Sequence, residues 1–176
     1  MLLVLVPITL TILLLLYLLS MVWPPDSPWS PWWVTSKRIA RVMCKLAQVT
    51  KKDIIYDLGS GTGTALMTAA KETGASGVGI EIDPFRFWYS KIAIMVNGVS
   101  KKIKIIGKNF FDVDISDATV IFMYLVPKTL ARLKPKLLKE CKPGTRVVTF
   151  VYKIDLPMIA MDRQNEIYIY KIPKKK

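Results

Sequence analysis

At 176 residues the chain has room for one small domain and a short extra segment; with no histidine it excludes imidazole general bases, Ser-His triads and histidine metal sites. Its 26 Lys and Arg against 13 Asp and Glu leave a net charge of +13, which points to an anionic partner, either a lipid surface or nucleic acid. Two cysteines, Cys44 and Cys141, have neither metal-ligand spacing nor the density of a disulfide scaffold, so no metal is expected.

Residues 1–23 contain no charged side chain. The run is long enough to cross a bilayer core of about 30 Å as a helix and is predicted to be a transmembrane signal anchor. A cleaved signal peptide fits less well, because the stretch lacks a basic start and a small-x-small cleavage site. Every Lys and Arg follows position 36, so the positive-inside rule predicts a single-pass membrane protein with a cytoplasmic catalytic domain. A prokaryotic plasma membrane is favoured, the mitochondrial inner membrane being the alternative. Residues 24–33 form a Trp/Pro-rich juxtamembrane linker in which prolines prevent helix and indoles suit the headgroup layer. The lipid bilayer is therefore the expected anionic partner. Nucleic acid is not favoured, because the basic residues are spread along the chain without a recognisable binding module.

Residues 34–173 read as one α/β domain. Thr35 and Ser36 cap a helix from Lys37 to about Val49, whose apolar positions recur at helical spacing. The run Ile54-Ile55-Tyr56 is a strand that enters Asp57-Leu58-Gly59-Ser60-Gly61-Thr62-Gly63, and a helix follows over 64–73. A strand, a glycine turn and a helix make a nucleotide-binding crevice at the strand's carboxyl end. Thr64 stands where a dinucleotide fingerprint has its third glycine, and no Lys-Ser/Thr pair follows as in a phosphate loop. Asp57 repels a pyrophosphate but can accept hydrogen bonds from a ligand ammonium. That selects a ligand carrying an amino acid and an adenosine without phosphates, S-adenosylmethionine, cradled by Gly59, Ser60, Gly61 and Gly63.

The next strand, 77–82, carries Glu81 about 20 residues beyond the turn, the place of the acid that accepts ribose hydroxyls, with Ile82 beside it. Asp83-Pro84 starts a helix to about Val96, whose Phe85, Phe87, Trp88 and Tyr89 are expected mostly to pack on the sheet. A third strand over 102–106 leads to Asn109-Phe110-Phe111-Asp112. A fourth, 118–125, is apolar throughout, as a central parallel strand buried on both faces should be. A helix from Pro127, expected to break at Pro135, leads to a fifth strand over 146–152, and 166–172 reads as one more alternating strand. Residues 174–176 form a basic tail.

With those segments in place, the chain resembles the seven-β-strand protein lysine methyltransferases, both a broad-specificity archaeal group and the mitochondrial enzymes that modify the ATP synthase c-subunit and the adenine nucleotide translocator. Asp53 to Gly61, Gly79-Ile80-Glu81, Asn109 to Ser116, and 133–137 through 143–148 carry the resemblance. It implies a Rossmann-like class I methyltransferase sheet with helices on both faces, here preceded by one transmembrane helix. It also implies that Thr35 lies near the cofactor's carboxylate, and that Asn109 and Phe110 receive the adenine. The family commonly has Gly-Asp-Gly-Arg where this chain has Gly61-Thr62-Gly63-Thr64.

The expected activity is S-adenosylmethionine-dependent methylation of a lysine amine on a membrane or membrane-associated protein. Tyr124, at the end of the fourth strand, is the candidate catalytic residue, orienting the amine through its hydroxyl or ring face, with Asp112 or Tyr152 able to assist. Two alternatives stay open: a lipid or other small-molecule methyltransferase, and a non-catalytic cofactor-binding scaffold.

Overall fold

The structure, a computed structural model, describes residues 2–22 and 33–174. The described residues fall into two separate units divided before Trp33, 2–22 and 33–174. In the first, helix α1 runs Leu2–Val22, with the Thr9 and Thr11 hydroxyls donating back to the Leu5 and Pro7 carbonyls at 2.8 Å. Among the described residues no helix is long and apolar enough to cross a membrane, which overturns the expected single-pass anchor and the localisation built on it. The bilayer partner rested on that span and loses its basis. The linker expected over 24–33 lies outside the described residues except for Trp33, as do the last two residues of the basic tail.

The second unit is a seven-stranded sheet in the order β3-β2-β1-β4-β5-β7-β6. The strands are β1 Ile54–Leu58, β2 Ser76–Ile80, β3 Ile103–Ile106, β4 Val120–Met123, β5 Arg146–Phe150, β6 Met158–Asp162 and β7 Ile167–Lys171. The first five are parallel, while β7 runs antiparallel between β5 and β6. The chain winds outward from β1 to β3 and then returns to place β4 on the other side of β1. This reversal opens a crevice at the strand tips, where ligands of such sheets bind.

Side-chain parity sorts the sheet into two cores. Ile55, Phe122, Val148 and Ile169 face α2 (Lys37–Leu46) and α3 (Thr64–Thr73), joined by Ile94 of α4 (Pro84–Val96). Tyr56, Ile121, Val147 and Tyr170 face α5 (Pro127–Glu140) through its Leu130, Leu133 and Leu137. Helices therefore cover both faces, and the central strands are buried on both, as their continuous apolar runs predict.

Four local expectations change. Helix α5 passes through Pro135 unbroken, because Pro135 is exposed and water can satisfy the carbonyl it leaves unpaired, while Leu133 and Leu137 anchor the helix on either side. Strand β7 does not alternate, since Ile167 through Tyr170 are all buried between β5 and β6 on an internal strand. Strand β6 is additional, and its hairpin turn is closed by Asp162, which accepts from the Asn165 backbone and side-chain amides at 3.1 and 2.7 Å. On α4 only Ser90 and Ile94 are buried, so Phe85, Trp88 and Tyr89 face solvent instead of the sheet.

Gly79 lets the turn after β1 close down on β2. A Cβ built there would lie 2.5 Å from Ile105 Cδ1, 2.7 Å from Ser60 Oγ and 2.9 Å from Ser60 Cβ. Gly79→Ala is expected to lower stability by about 1–3 kcal/mol through overpacking. A urea midpoint indistinguishable from the parent chain would contradict it.

Candidate functional site

The strand register sets one row of side chains across the carboxyl edge of the sheet. Asp57 pairs with Gly79 on β2 and with Phe122 on β4, and Phe122 pairs with Val148 on β5. Two residues further along each strand, on the same face, come Glu81, Tyr124 and Phe150. From β2 to β5 the edge therefore reads Glu81, Asp57, Tyr124, Phe150, all on the side covered by α2 and the segment before it.

The turn from β1 folds across this edge. Gly59 and Ser60 both donate backbone N–H groups to the Ile80 carbonyl, at 2.9 and 3.0 Å. Gly59, Gly61 and Gly63 all have positive φ, +83°, +53° and +75°, the left-handed region that a Cβ disfavours. The turn ends at Gly63 as the N-cap of α3, where no side chain caps the helix. Its free N–H groups and dipole favour an anionic group there.

Glu81 is buried and ties the turn to α4. One carboxylate oxygen accepts the Gly61 N–H at 2.7 Å, and the other accepts the Asp83 N–H at 2.9 Å. Burial raises its pKa, with the Asp83 and Gly61 donors and the Arg86 charge opposing and Asp83's own charge assisting. Asp57 is buried without such help; among the described residues its carboxylate accepts no hydrogen bond. Burial first, and the neighbouring Glu81 charge second, push it up to about 7. The two carboxylates thus face each other across a strand tip. This arrangement is costly alone and is relieved by a cation placed beside them.

The remaining expected contacts vary in readiness. Among the described residues Ser60 Oγ is buried with no partner, a polar atom left for a ligand. Ser36 caps α2, accepting from Ile39 N–H at 3.3 Å, and half-buried Thr35 precedes it. The Asn109 side-chain carbonyl accepts the Phe111 N–H at 3.0 Å and caps the short 3-10 turn Phe110–Asp112. This fixes the backbone of half-buried Phe110, and Ile82 stays partly exposed beyond β2.

Tyr124 is walled by rings that sequence patterns do not bring together. Its ring lies 4.6 Å from that of Phe150 and 6.1 Å from that of Trp33. Trp33, expected in the linker, belongs with the folded unit. From the sequence Phe150 reads only as strand interior; the signal that could have found it is its register, one step beyond the Met123–Thr149 pair. Burial, then Tyr152 and Glu166, raise the Tyr124 pKa above the ordinary phenol value. Tyr152 is thereby a near neighbour, whereas Asp112 sits exposed on the 3-10 turn. A separate cleft of about 310 Å³ runs between α2, α3 and α4, past Lys37, Arg41, Lys71 and Asn97. It meets the glycine turn only at Thr62 and Thr64 and lies outside the carboxylate row.

Comparison with known proteins agrees with this geometry. The ANTKMT methyltransferase domain matches residues 57–158. A protein-lysine N-methyltransferase of Saccharolobus islandicus (strain REY15A) is 44% identical over 131 residues, 74% of this chain and 80% of that protein. The ATP synthase c-subunit lysine N-methyltransferase of Mus musculus is 31% identical over 114 residues, 65% of this chain but only 45% of its own length. Among solved structures, an RNA methyltransferase from Salinibacter ruber in complex with S-adenosyl-L-homocysteine superposes with a TM-score of 0.78 at 35% identity. The match covers 82% of this chain and 96% of that one.

The Asp57 pKa makes a pH prediction. Its folded value of about 7 stands above the ordinary 3.8, so the folded state disfavours the charged form. The penalty is absent below about pH 4, builds between about 4 and 7, and is complete above that. Asp57→Asn without ligand should therefore raise the denaturation midpoint at pH 8 and leave it nearly unchanged at pH 4. Equal shifts at the two pH values would refute the buried, unrelieved carboxylate.

Proposed function

From the premise that this chain belongs to the ANTKMT methyltransferase family, we propose that it transfers a methyl group to the side-chain amine of a protein lysine. It is an S-adenosylmethionine-dependent methyltransferase. The single observation that carries the lysine reading is the 44% identity to a protein-lysine N-methyltransferase across most of both chains. The aromatic wall beside the carboxylate row supports it, because an amine's alkyl stem suits such a wall.

The residues present fit the cofactor. When bound, S-adenosylmethionine supplies an electrophilic methyl group on a sulfonium. Asp57 would hold the ligand's ammonium, whose charge favours the ionised form of the buried carboxylate. The lone pairs of Glu81 not used by Gly61 and Asp83 accept the ribose hydroxyls. Gly59, Ser60, Gly61 and Gly63 wrap the ligand, with the open N-terminus of α3 and Thr35 toward its carboxylate. Asn109 and Phe110 hold the adenine, beside Ile82.

Tyr124 lies two strands from Glu81 along the edge, where it would stand beside the methyl-bearing end of the cofactor. It orients the incoming nitrogen, and alignment of nucleophile and methyl can supply much of the acceleration. The nucleophile needs a free electron pair, so lysine, with a solution pKa of about 10.4, first gives up a proton. Loss of hydration as the stem packs on the aromatic wall lowers that pKa, while the ring faces oppose the shift.

A second reading, methyl transfer to RNA, is favoured by the description of the Salinibacter ruber protein and by the net charge of +13. Incubating the protein with cell extract and radiolabelled cofactor separates the two. The lysine reading expects protease-sensitive label that hydrolysis returns as methylated lysine. Label removed by ribonuclease would establish RNA instead, and label extracted wholly into organic solvent would exclude both. Calorimetry with S-adenosylhomocysteine should show one site per chain, lost in Asp57→Ala; undiminished binding in that variant would remove Asp57 from the cofactor site.

A further inference from the structure

The tip of β5 carries an unusual backbone. Val151 has φ +67° and Glu166, facing it at the start of β7, has φ +54°. A β-branched residue in the left-handed region is an outlier, and such residues persist where surrounding structure holds them, often at functional sites. Here the Tyr152 N–H donates to the Phe150 carbonyl two residues back, at 2.8 Å, closing a three-residue turn of the rare strained kind. Val151 N–H donates to the Glu166 carbonyl, also at 2.8 Å, which locks the turn onto β7.

That turn borders the aromatic cluster. Phe150 lies against Tyr124 with ring planes at 57°, and Trp33 meets Tyr124 edge-on at 75°. Burial first, and then the electrostatic influence of Tyr152 and Glu166, raises the Tyr124 pKa. Trp33 is 62% exposed, so the cluster is open to solvent on one side. Elsewhere the protein's own cations cover its aromatic faces, with Lys91 over Phe87 and Trp88, Arg132 over Phe111 and Lys153 over Tyr168. None of those contacts falls on Trp33, Tyr124 or Phe150.

We propose that Trp33, Tyr124 and Phe150, positioned by the Val151 turn, form a cation–π site for methylated ammonium. Resting on the protein-lysine reading, this makes mono- and dimethyl-lysine substrates in their own right. A bare ammonium is strongly hydrated and prefers carboxylates and carbonyls. Each methyl group spreads the charge and exposes apolar surface, which shifts the preference toward ring faces. Every turnover then has the same balance. The amine loses its proton to water, its electron pair forms the new N–C bond, and the C–S bond breaks with its pair kept by sulfur as S-adenosylhomocysteine leaves.

The test uses the full chain saturated with S-adenosylhomocysteine and titrated with free Nε-trimethyl-lysine or lysine, followed by shifts of aromatic proton resonances. Trimethyl-lysine is expected to bind about tenfold more tightly than lysine. Trp33→Ala and Phe150→Leu should erase the preference, and Tyr124→Phe, which keeps the ring, should retain it. Val151→Gly relieves the backbone, since glycine accepts that φ. It should narrow the preference at least threefold while the fold is retained, a binding change that a merely structural turn would not give. Equal binding of the two amino acids, or an unaltered preference in both Trp33→Ala and Phe150→Leu, would overturn the proposal. Failure of the protein-lysine reading looks different, because the labelling experiment would then return no methylated lysine whatever the titration shows.

Discussion

Two carboxylates buried side by side at one strand tip are the constraint around which this domain is built. Asp57 and Asp53 make the point from a single strand. Asp53, at the amino end, accepts from Thr50 N–H and the Thr119 hydroxyl, both at 2.7 Å, and pairs with Arg146; burial alone would raise its pKa, but these partners bring it below the ordinary value. Arg146 also donates to the Ala47 and Gln48 carbonyls, so this cluster pins β1, β4 and β5 to the end of α2. Four residues along, Asp57 has no donor among the described residues and feels the charge of Glu81. One acid stabilises the base of the sheet, while the other is an unmet demand for positive charge at its tip.

Meeting that demand requires close approach and exclusion of water, and both follow from glycine. The left-handed Gly59, Gly61 and Gly63 fold the turn back over β2, and Gly79 leaves the space that Ser60 enters. Glu81 then accepts the Gly61 N–H and fixes the turn. The acid expected to meet a ligand ribose therefore also organises the loop that would hold that ligand, using one lone pair of each oxygen and leaving the others.

What was legible in the sequence is what is local. The β1 turn, α3, Glu81 and the Asp83-Pro84 start of α4 each declare themselves within a few residues, through positive-φ glycines, a capping acid and a fixed spacing. The row Glu81, Asp57, Tyr124, Phe150 depends on register between strands up to about 90 residues apart in the chain, which no window contains. The wrong face on α4 has a similar origin. Phe85, Phe87, Trp88 and Tyr89 crowd the first turns of an apolar helix, so the pattern assigns most of them to the core. The sheet instead receives the smaller Ser90 together with Ile94, and Ser90 lies close to Gly63. A second apolar surface beside the turn would not fit that approach, so the larger side chains turn outward.

The same geometry bears on how a lysine could lose its proton in a protein without histidine. Tyr124 is the side chain at the expected point of reaction, yet its pKa lies above the ordinary phenol value, so at neutral pH it keeps its own proton and makes a poor base. Asp57 and Glu81 are set deep in the edge, where the cofactor would occupy them. The acceptors that remain on the proposed reading are water, which the half-open wall of Trp33 and Tyr152 admits, and the exposed carboxylate of Glu166. On the same reading, an ammonium would be held at the exposed rings, lose its proton on the solvent side, and pass Tyr124 as a neutral amine. Placing the aromatic wall at the rim, with the carboxylates behind it, allows one edge to attract two cations without exchanging their positions.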